Sequence, residues 1–244
     1  MNAYIPEALA TALRDARHVC ALTGAGVSAE SGVPTFREAQ DGLWAQYEPT
    51  QLATPEAFLA DPTLIWRWYR WRRDLVAEAI PNPGHVALAK LADLIPRLTL
   101  VTQNVDNLHQ RAGSRDVIEF HGNIFEDRCF ADGSLQTGDD STAVPVCGEC
   151  GSNLRPGVVW FGESIPEHAL NESCAAATNC DLFLSVGTSS LVYPAAGLVE
   201  LAKQNGALVA EINPNPTLNA AAFDFSIAAN SGVALPELVN CLAV

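Results

Sequence analysis

The chain has 244 residues, of which 48% are hydrophobic and 17% are charged, and its formal net charge is −14. This length and composition exclude a disordered chain and predict a folded protein with a sizeable buried core. The excess of acidic side chains repels phosphate backbones and anionic lipids, so we expect neither a nucleic acid nor a membrane surface as a partner.

Apolar runs and helical patterns alternate along most of the chain, which predicts an α/β fold with a Rossmann-like, doubly wound parallel sheet. The apolar runs predict strands at 18–23, 98–102, 117–119, 182–186 and 207–212, with a short last strand at 227–230. The helical spacing of apolar residues predicts helices at 6–16, 84–94, 193–204 and 235–242.

Two stretches lack this alternation and predict a smaller inserted module. Residues 38–80 hold four of the five tryptophans and indicate two helices without a strand, whereas residues 124–155 are rich in Gly, Asp, Ser and Cys. We expect these two stretches to form a helical, zinc-binding module. The expected larger domain combines residues 1–37, 81–123 and 156–244.

The first predicted strand is followed by a glycine turn, Gly24-Ala25-Gly26-Val-Ser28, that opens a predicted helix. Such a turn lets backbone N–H groups approach a diphosphate, and the helix N-terminus favours its negative charge. The acidic residue that binds a ribose about 20 residues further on in dehydrogenases is missing, which disfavours a plain dehydrogenase. A second cluster follows along the chain and consists of Gly32, Pro34, Phe36 and Arg37. This cluster predicts a loop that shapes the reactive end of a dinucleotide.

Polar residues follow the second and third predicted strands, at the edge of the sheet where ligands bind. The side chains of Gln103, Asn104 and Asp106 can contact ribose hydroxyls and a carboxamide, although capping of the next helix by Asn104 or Asp106 is an alternative. His121 follows the third strand and is a candidate general base. A structural histidine is the alternative there, and a structural role is expected for His109.

Cysteines in the second inserted stretch have the spacing of a zinc site. Cys147 and Cys150 form a C-x-x-C half-site, and Cys129 precedes Asp132 at the spacing where a second half-site would have another cysteine. Three thiolates and one carboxylate can close a tetrahedral zinc site. A weakened or lost metal site is the alternative.

Two later strands end in small and polar residues that suit a phosphate and an adenosine ribose. Gly187, Thr188 and Ser189 follow the strand at 182–186, and Asn213 and Asn215 follow the strand at 207–212.

Together, the motifs GAGVSAESGVPTFR, TQNVDNLH, FHG, CxxC, RPxVVWFGE, VGTSS and INPN resemble those of the sirtuins, NAD-dependent protein-lysine deacylases. The resemblance implies a Rossmann-like NAD-binding domain, a small zinc-binding module, and a cleft between them for NAD and an acyl-lysine. It implies His121 as the catalytic base, with Asn104 and Asp106 in the catalytic centre. The NAD contacts that it implies are Gly24, Ala25, Gly26, Ser28, Glu30, Phe36, Arg37, Gln103, Asn104, Asp106, Gly187, Thr188, Ser189, Asn213 and Asn215.

The resemblance also implies that the substrate peptide pairs as an added strand with two stretches of the chain. One contains Phe161, Gly162 and Glu163, and the other lies near residues 191–193. Val159 is a further implied substrate-binding residue.

Tyr69 and Arg72 are spaced to share one helical face and resemble the Tyr-x-x-Arg pair of sirtuins that remove succinyl, malonyl and glutaryl groups. A carboxylate-tipped acyl group can accept two hydrogen bonds from Arg72 and one from Tyr69. A solvated basic helix face is the alternative, because Arg67, Arg70 and Arg73 are neighbours.

The expected activity is therefore NAD-dependent removal of acidic acyl groups, and of acetyl more weakly, from protein lysines. General deacetylation, mono-ADP-ribosylation and non-catalytic NAD sensing are the alternatives. No signal peptide or apolar run of transmembrane length is evident, and the seven cysteines do not indicate a disulfide framework. We therefore expect a cytoplasmic protein, and the resemblance suggests a monomer.

Overall fold

The computed structural model of the protein describes residues 3–34, 47–139, 141–189, 191–215, 217 and 222–242. Its helices and strands follow one another as α1 (Glu7–Asp15), β1 (Val19–Thr23), α2 (Ala25–Ala29), α3 (Pro49–Leu52), α4 (Pro55–Ala60), α5 (Pro62–Glu78), α6 (Pro83–Leu94), β2 (Leu98–Thr102), α7 (Leu108–Arg111), β3 (Ile118–Glu119), β4 (Gly122–Cys129), β5 (Leu135–Gln136), β6 (Leu154–Val158), α8 (Glu167–Asn179), β7 (Leu182–Val186), α9 (Gly197–Gln204), β8 (Leu208–Ile212), β9 (Phe225–Ile227) and α10 (Ser231–Asn240).

The first of two compact units contains Met1–Thr35, Ile80–Phe120 and Pro166–Val244. Its six strands form one parallel sheet in the order β3-β2-β1-β7-β8-β9. Every residue of β1 and β7 is buried, as expected for central strands of a parallel sheet. The predicted α/β fold with a parallel sheet is confirmed, and the carboxyl ends of β1, β2, β7 and β8 lie side by side.

Five predicted strands lie within one residue of the observed ends, but the C-terminal region differs from the prediction. The last strand is at Phe225–Ile227 rather than 227–230, and α10 begins at Ser231 rather than 235. A carboxylate oxygen of Glu30 accepts hydrogen bonds from Ser231 Oγ at 3.1 Å and from the Gly232 N–H at 2.7 Å. This long-range contact fixes the start of α10 earlier than the local pattern indicates.

The second unit contains Phe36–Ala79 and His121–Ile165. It combines helices α3, α4 and α5 with a three-stranded antiparallel sheet in the order β5-β4-β6. Two features differ from the sequence prediction: the described part of 38–80 has three helices rather than two, and residues 124–155 contribute to a sheet. The unit also includes 121–123 and 156–165, because β6 pairs with β4.

The longest element of the second unit, α5, begins with a side-chain cap, since Asp61 accepts a hydrogen bond from the Leu64 N–H at 2.9 Å. Its buried face carries large aromatic residues, and Trp66 Nε1 donates to the carbonyl of Leu154 in β6 at 2.8 Å. Within the described ranges, no helix combines the length and apolarity needed to cross a membrane.

Candidate active site

The turns that follow β1 and β7 contact each other at glycines. The Gly26 N–H donates to the Gly187 carbonyl at 2.8 Å, and a Cβ on Gly26 would lie 2.7 Å from that same oxygen. A Cβ on Gly24 would lie 2.8 Å from Thr188 Cβ, and Gly187 itself has a φ of +58°. The predicted phosphate-binding turn is therefore held directly against the predicted adenosine-binding turn, and this approach requires residues without side chains.

A buried polar cluster joins α2 to the loop after β2. Ser28 is 1% exposed, and its Oγ donates to Asp106 Oδ2 at 2.6 Å and accepts from Asn104 Nδ2 at 3.0 Å. The second oxygen of Asp106 accepts from the Leu108 N–H at 3.0 Å, at the start of α7. One oxygen of Asp106 thus binds the first N–H of α7, although the cap residue of that helix is Asn107, and the other oxygen orients Ser28.

Two buried histidines lie beside this cluster. His85 Nδ1 accepts from the Asn82 N–H at 3.3 Å, so its neutral ring carries a proton on Nε2, which lies 3.4 Å from Ser28 Oγ. Burial lowers the pKa of His85, against the negative charge of Asp106. Burial also lowers the pKa of His109 to about 3, so both rings favour the uncharged form. This agrees with the structural role expected for His109.

On the predicted adenosine side, Thr188 connects the ends of three strands. Its Oγ1 accepts from Gln103 Nε2 at 2.9 Å, and its carbonyl accepts from Asn213 Nδ2 at 2.9 Å. Ser189 is half-buried and Asn215 is exposed. Gln103, which we expected with Asn104 and Asp106 to contact ribose hydroxyls and a carboxamide, thus contacts Thr188 of the predicted adenosine side.

Of four further predicted NAD contacts, the structure describes two. Ala25 is half-buried at the start of α2, and the carboxylate of Glu30 contacts the N-terminus of α10 as described above. Phe36 and Arg37 lie outside the described residues.

In the second unit, His121 precedes β4 and is half-buried. Its carbonyl accepts from the Val159 N–H at 2.8 Å. The next residue, Gly122, has a φ of +78°, and a Cβ there would lie 2.2 Å from the Gly157 carbonyl oxygen. The His-Gly pair therefore has a physical reason, because only glycine allows the chain to pass this close to β6 directly after the histidine.

The turn at 160–163 is held by one carboxylate. Glu163 accepts from the Trp160 N–H at 2.8 Å and forms an ion pair with Arg155, whose guanidinium lies 3.4 Å from the centre of the Trp160 ring. Phe161 keeps 47% of its surface exposed, and Gly162 has a φ of +88°. Glu163 therefore shapes this predicted peptide-binding turn from within.

Helix α5 places Tyr69 and Arg72 next to each other, as their spacing predicts. The Arg72 guanidinium lies 5.9 Å from the Tyr69 ring and 4.9 Å from the Trp68 ring. Tyr69 is 1% exposed, and its hydroxyl accepts from Trp160 Nε1 at 2.9 Å. Burial raises the pKa of Tyr69, so the hydroxyl keeps its proton and can donate it.

The neighbouring arginines are not a uniformly solvated face. Arg73 forms a largely buried ion pair with Asp127 at 2.7 Å. Arg70 donates to two carbonyl groups of the loop at 142–143, at 2.6 and 3.0 Å. The alternative of a solvated basic face is therefore wrong for these two side chains, and only Arg67 of the three is exposed.

Three cysteines of the second unit have converging side chains. The Sγ atoms of Cys129, Cys147 and Cys150 all lie within 4.8 Å of one another, and those of Cys129 and Cys150 are 3.5 Å apart. This separation is well beyond a disulfide bond, which measures about 2.05 Å. Three thiols converging in this way suit a Zn²⁺ ion, so the residues fit the metal that the sequence predicts.

Comparisons with known proteins identify the family. The family model of the Sir2 family matches residues 24–194. The chain is 48% identical over 244 residues to "NAD-dependent protein deacylase 1" of Pseudomonas aeruginosa, covering 96% of this chain and 98% of that protein. It belongs to the Sir2 family.

Further relatives agree with this assignment. A protein of Aquifex aeolicus named "NAD-dependent protein deacylase" is 52% identical over 203 residues, covering 82% of this chain and 84% of that protein. A crystal structure of a Sir2 homologue–NAD complex superposes with a TM-score of 0.91 at 42% identity, covering 99% of this chain and 95% of that one. The sirtuin resemblance noted in the sequence is confirmed.

Within this Sir2 chain, the structure adds residues that sequence analysis did not single out. His85 contacts Ser28, and Trp160 and Arg155 connect Tyr69 to the turn at 160–163. A local signal existed for His85, since it is the third helical residue after the cap residue Asn82. Arg155 and Trp160 lie in the motif RPxVVWFGE, but the hydrogen bond from Trp160 to Tyr69 joins residues 91 positions apart, so no local pattern indicates it.

Proposed function

We propose that this Sir2 protein is an NAD-dependent deacylase of protein lysines that gives nicotinamide and O-acyl-ADP-ribose. The observation that carries the proposal is the buried Ser28–Asn104–Asp106 cluster beside the paired glycine turns. Relatives named NAD-dependent protein deacylase support it, as does a 42% identical Sir2 homologue bound to NAD.

NAD would bind at the strand ends of the first unit. The glycine turns allow its diphosphate to approach the backbone closely, because side chains at Gly24 or Gly26 would collide with the turn after β7. Thr188 and Asn213 would contact the adenosine ribose, and their mutual hydrogen bond holds them in place. The remaining contacts implied by the resemblance, including Phe36 and Arg37, stay part of this proposal.

At the nicotinamide end, bound NAD supplies an electrophilic carbon to the acyl oxygen of the lysine, with nicotinamide as the leaving group. Asn104 and Asp106 would hold the ribose hydroxyls and the carboxamide, and Ser28 fixes their orientation. His121 would act as general base on a ribose hydroxyl, which attacks the acyl carbon. The lysine amine then leaves from that carbon and one water molecule is consumed, so that the acyl group ends as an ester on the ADP-ribose.

The acyl-lysine peptide would pair with the exposed edge of the 159–163 segment. Four of its five residues donate their N–H groups within the protein, whereas the N–H of Gly162 has no acceptor among the residues that the structure describes and would be the donor to a bound peptide. The four are Val159, Trp160, Phe161 and Glu163. In the first unit, the side chains of residues 191–193 are exposed and apolar, with exposures of 45%, 38% and 66%.

The preferred acyl group in this proposal ends in a carboxylate, as in succinyl and malonyl groups. Arg72 would form charge-assisted hydrogen bonds with it, and the Tyr69 hydroxyl, which accepts from Trp160, would donate one more. An acetyl group would leave these donors without an acceptor, so acetyl-lysine is expected to be the poorer substrate.

Nicotinamide release from NAD in the presence of a succinyl-lysine peptide tests the proposal. We expect release that depends on the peptide, faster with succinyl-lysine than with acetyl-lysine, and transfer of labelled ADP-ribose to the released acyl group. Label on protein would instead identify an ADP-ribosyltransferase. NAD binding without any nicotinamide release would identify a non-catalytic NAD-sensing module.

A further inference from the structure

Two turns in the second unit share a sequence pattern. One is Cys129-Phe-Ala-Asp132-Gly133-Ser134, and the other is Cys147-Gly-Glu-Cys150-Gly151-Ser152. Cysteine, glycine and serine occupy the same places in both. The two turns differ at one position where a metal ligand is expected. The first turn has Asp132 there, and the second turn has Cys150.

The two turns also share one backbone conformation. The Cys129 N–H donates to the Ser134 carbonyl at 2.9 Å, and the Cys147 N–H donates to the Ser152 carbonyl at 2.7 Å. The Gly133 and Gly151 N–H groups return to the carbonyls of Cys129 and Cys147, both at 2.9 Å. The two glycines have φ values of +75° and +73°.

The first cysteines of the two turns also come together in space. Cys129 and Cys147 both belong to the group of three converging thiols, and Cys150 of the second turn is the third member. Asp132 is thus the structural counterpart of Cys150, and both side chains are exposed.

One oxygen of the Asp132 carboxylate is held by Ser134 of the same turn. Oδ1 accepts from the Ser134 N–H at 2.9 Å and from Ser134 Oγ at 2.7 Å. Cys129, which begins the same turn, is one of the three residues with converging sulfur atoms. A carboxylate keeps the charge of a fourth thiolate, and oxygen of Asp is an accepted zinc ligand at about 2.0–2.2 Å.

We propose that Asp132 supplies the fourth ligand of a closed Cys₃Asp zinc site through one carboxylate oxygen, with Ser134 orienting the carboxylate. The ion would hold the two turns together and, having no open position, would take no part in the reaction. The proposal concerns metal affinity and is independent of the deacylase activity.

Zinc affinity of the full-length protein, measured by chelator competition after removal and readdition of zinc, tests the proposal. We expect Asp132→Ala and Asp132→Asn to weaken zinc binding by more than about tenfold. Asp139→Ala is the matched control, because Asp139 Oδ1 also accepts from the N–H and Oγ of a serine two residues further on, at 2.9 and 2.6 Å. That variant should bind zinc as the wild type does.

The Asp132→Cys variant keeps the proposal testable if the other two variants fail to fold, since it repeats the sequence of the second turn. X-ray absorption at the zinc edge should show three sulfurs and one oxygen in the wild type and four sulfurs in Asp132→Cys. Unchanged affinity in Asp132→Ala or Asp132→Asn would overturn the proposal, as would four sulfurs in the wild type or a wild type that binds no zinc.

Discussion

The position of His121 depends on the close approach of Gly122 to Gly157, which no local sequence pattern indicates. The His-Gly dipeptide at a strand end predicted a candidate base, but the reason for the glycine lies 35 residues further on, at Gly157. In the same way, the Tyr69–Arg72 spacing predicted a shared helical face. The hydrogen bond from Trp160 to Tyr69 joins residues 91 positions apart and was beyond prediction.

Replacing His121 by alanine removes the proposed general base. We expect deacylation to fall by about 10²-fold or more, while the Kd for NAD changes little. Nicotinamide release and isothermal titration calorimetry measure the two quantities. His168→Ala, at an exposed position on α8, is the control and should behave as the wild type. Full activity in His121→Ala would refute the assignment.

Replacing Arg72 by methionine removes the proposed partner of an acidic acyl group. We expect kcat/KM for a succinyl-lysine peptide to drop by about 10- to 100-fold, because a charge-assisted hydrogen-bonding partner is lost. Activity on acetyl-lysine should be kept or increased. Arg67→Met, at an exposed position on the same helix, should change neither. A parallel loss on both peptides would argue against an acidic acyl pocket.

Among the elements, five of the six strands of the parallel sheet were predictable, and the small sheet was not. Central parallel strands are buried throughout, as in β1, so they appear in the sequence as short apolar runs. Strand β4 alternates buried with partly exposed residues, and its pairing with β6 shifts register between Gly122 and Asp127. Helix α8 was also missed, since small and polar residues make up much of it.

The contact between the turns after β1 and β7 makes an element-level prediction. Gly26→Ala would bring a Cβ to 2.7 Å from the Gly187 carbonyl oxygen. We expect a loss of about 1–3 kcal/mol in the free energy of unfolding and weaker NAD binding. Urea denaturation and calorimetry measure these changes.

Gly197→Ala is the matched control for that change. Gly197 lies in α9 of the same unit, and a Cβ there would meet only Tyr193, at an ordinary 3.6 Å. Because alanine favours a helix over glycine, this variant should be unchanged or stabilised by up to about 1 kcal/mol. Equal effects of the two substitutions would show that the close approach of the two turns contributes neither to the free energy of unfolding nor to NAD binding.

The molecule as a whole carries a large negative charge, yet three of its five histidines are buried. Burial lowers the pKa of His18, His85 and His109. The unfolded chain takes up these protons near pH 6.5, before the folded protein does. Their contribution to stability is therefore complete above pH 6.5 and is lost as the pH falls.

His109 gives the largest expected share, since its folded pKa is about 3. Between pH 7 and pH 5, wild-type protein should lose about 2 kcal/mol more unfolding free energy than His109→Gln. Denaturant titrations at the two pH values measure this difference, and protonation of the cysteine cluster cancels because both proteins contain it. The exposed His168→Gln variant should follow the wild type. An identical pH dependence in His109→Gln would contradict the prediction.

The Ser28 cluster has a consequence for the thermodynamics of ligand binding. Ser28, Asn104 and Asp106 are already removed from water and restrained by one another before any ligand arrives. A ligand that contacts them therefore needs little further side-chain ordering and little further dehydration of these groups. Ligand binding to these three side chains should accordingly cost little conformational entropy. A substitution that loosens the cluster should make the entropy of ligand binding less favourable, even when the groups that touch the ligand are unchanged.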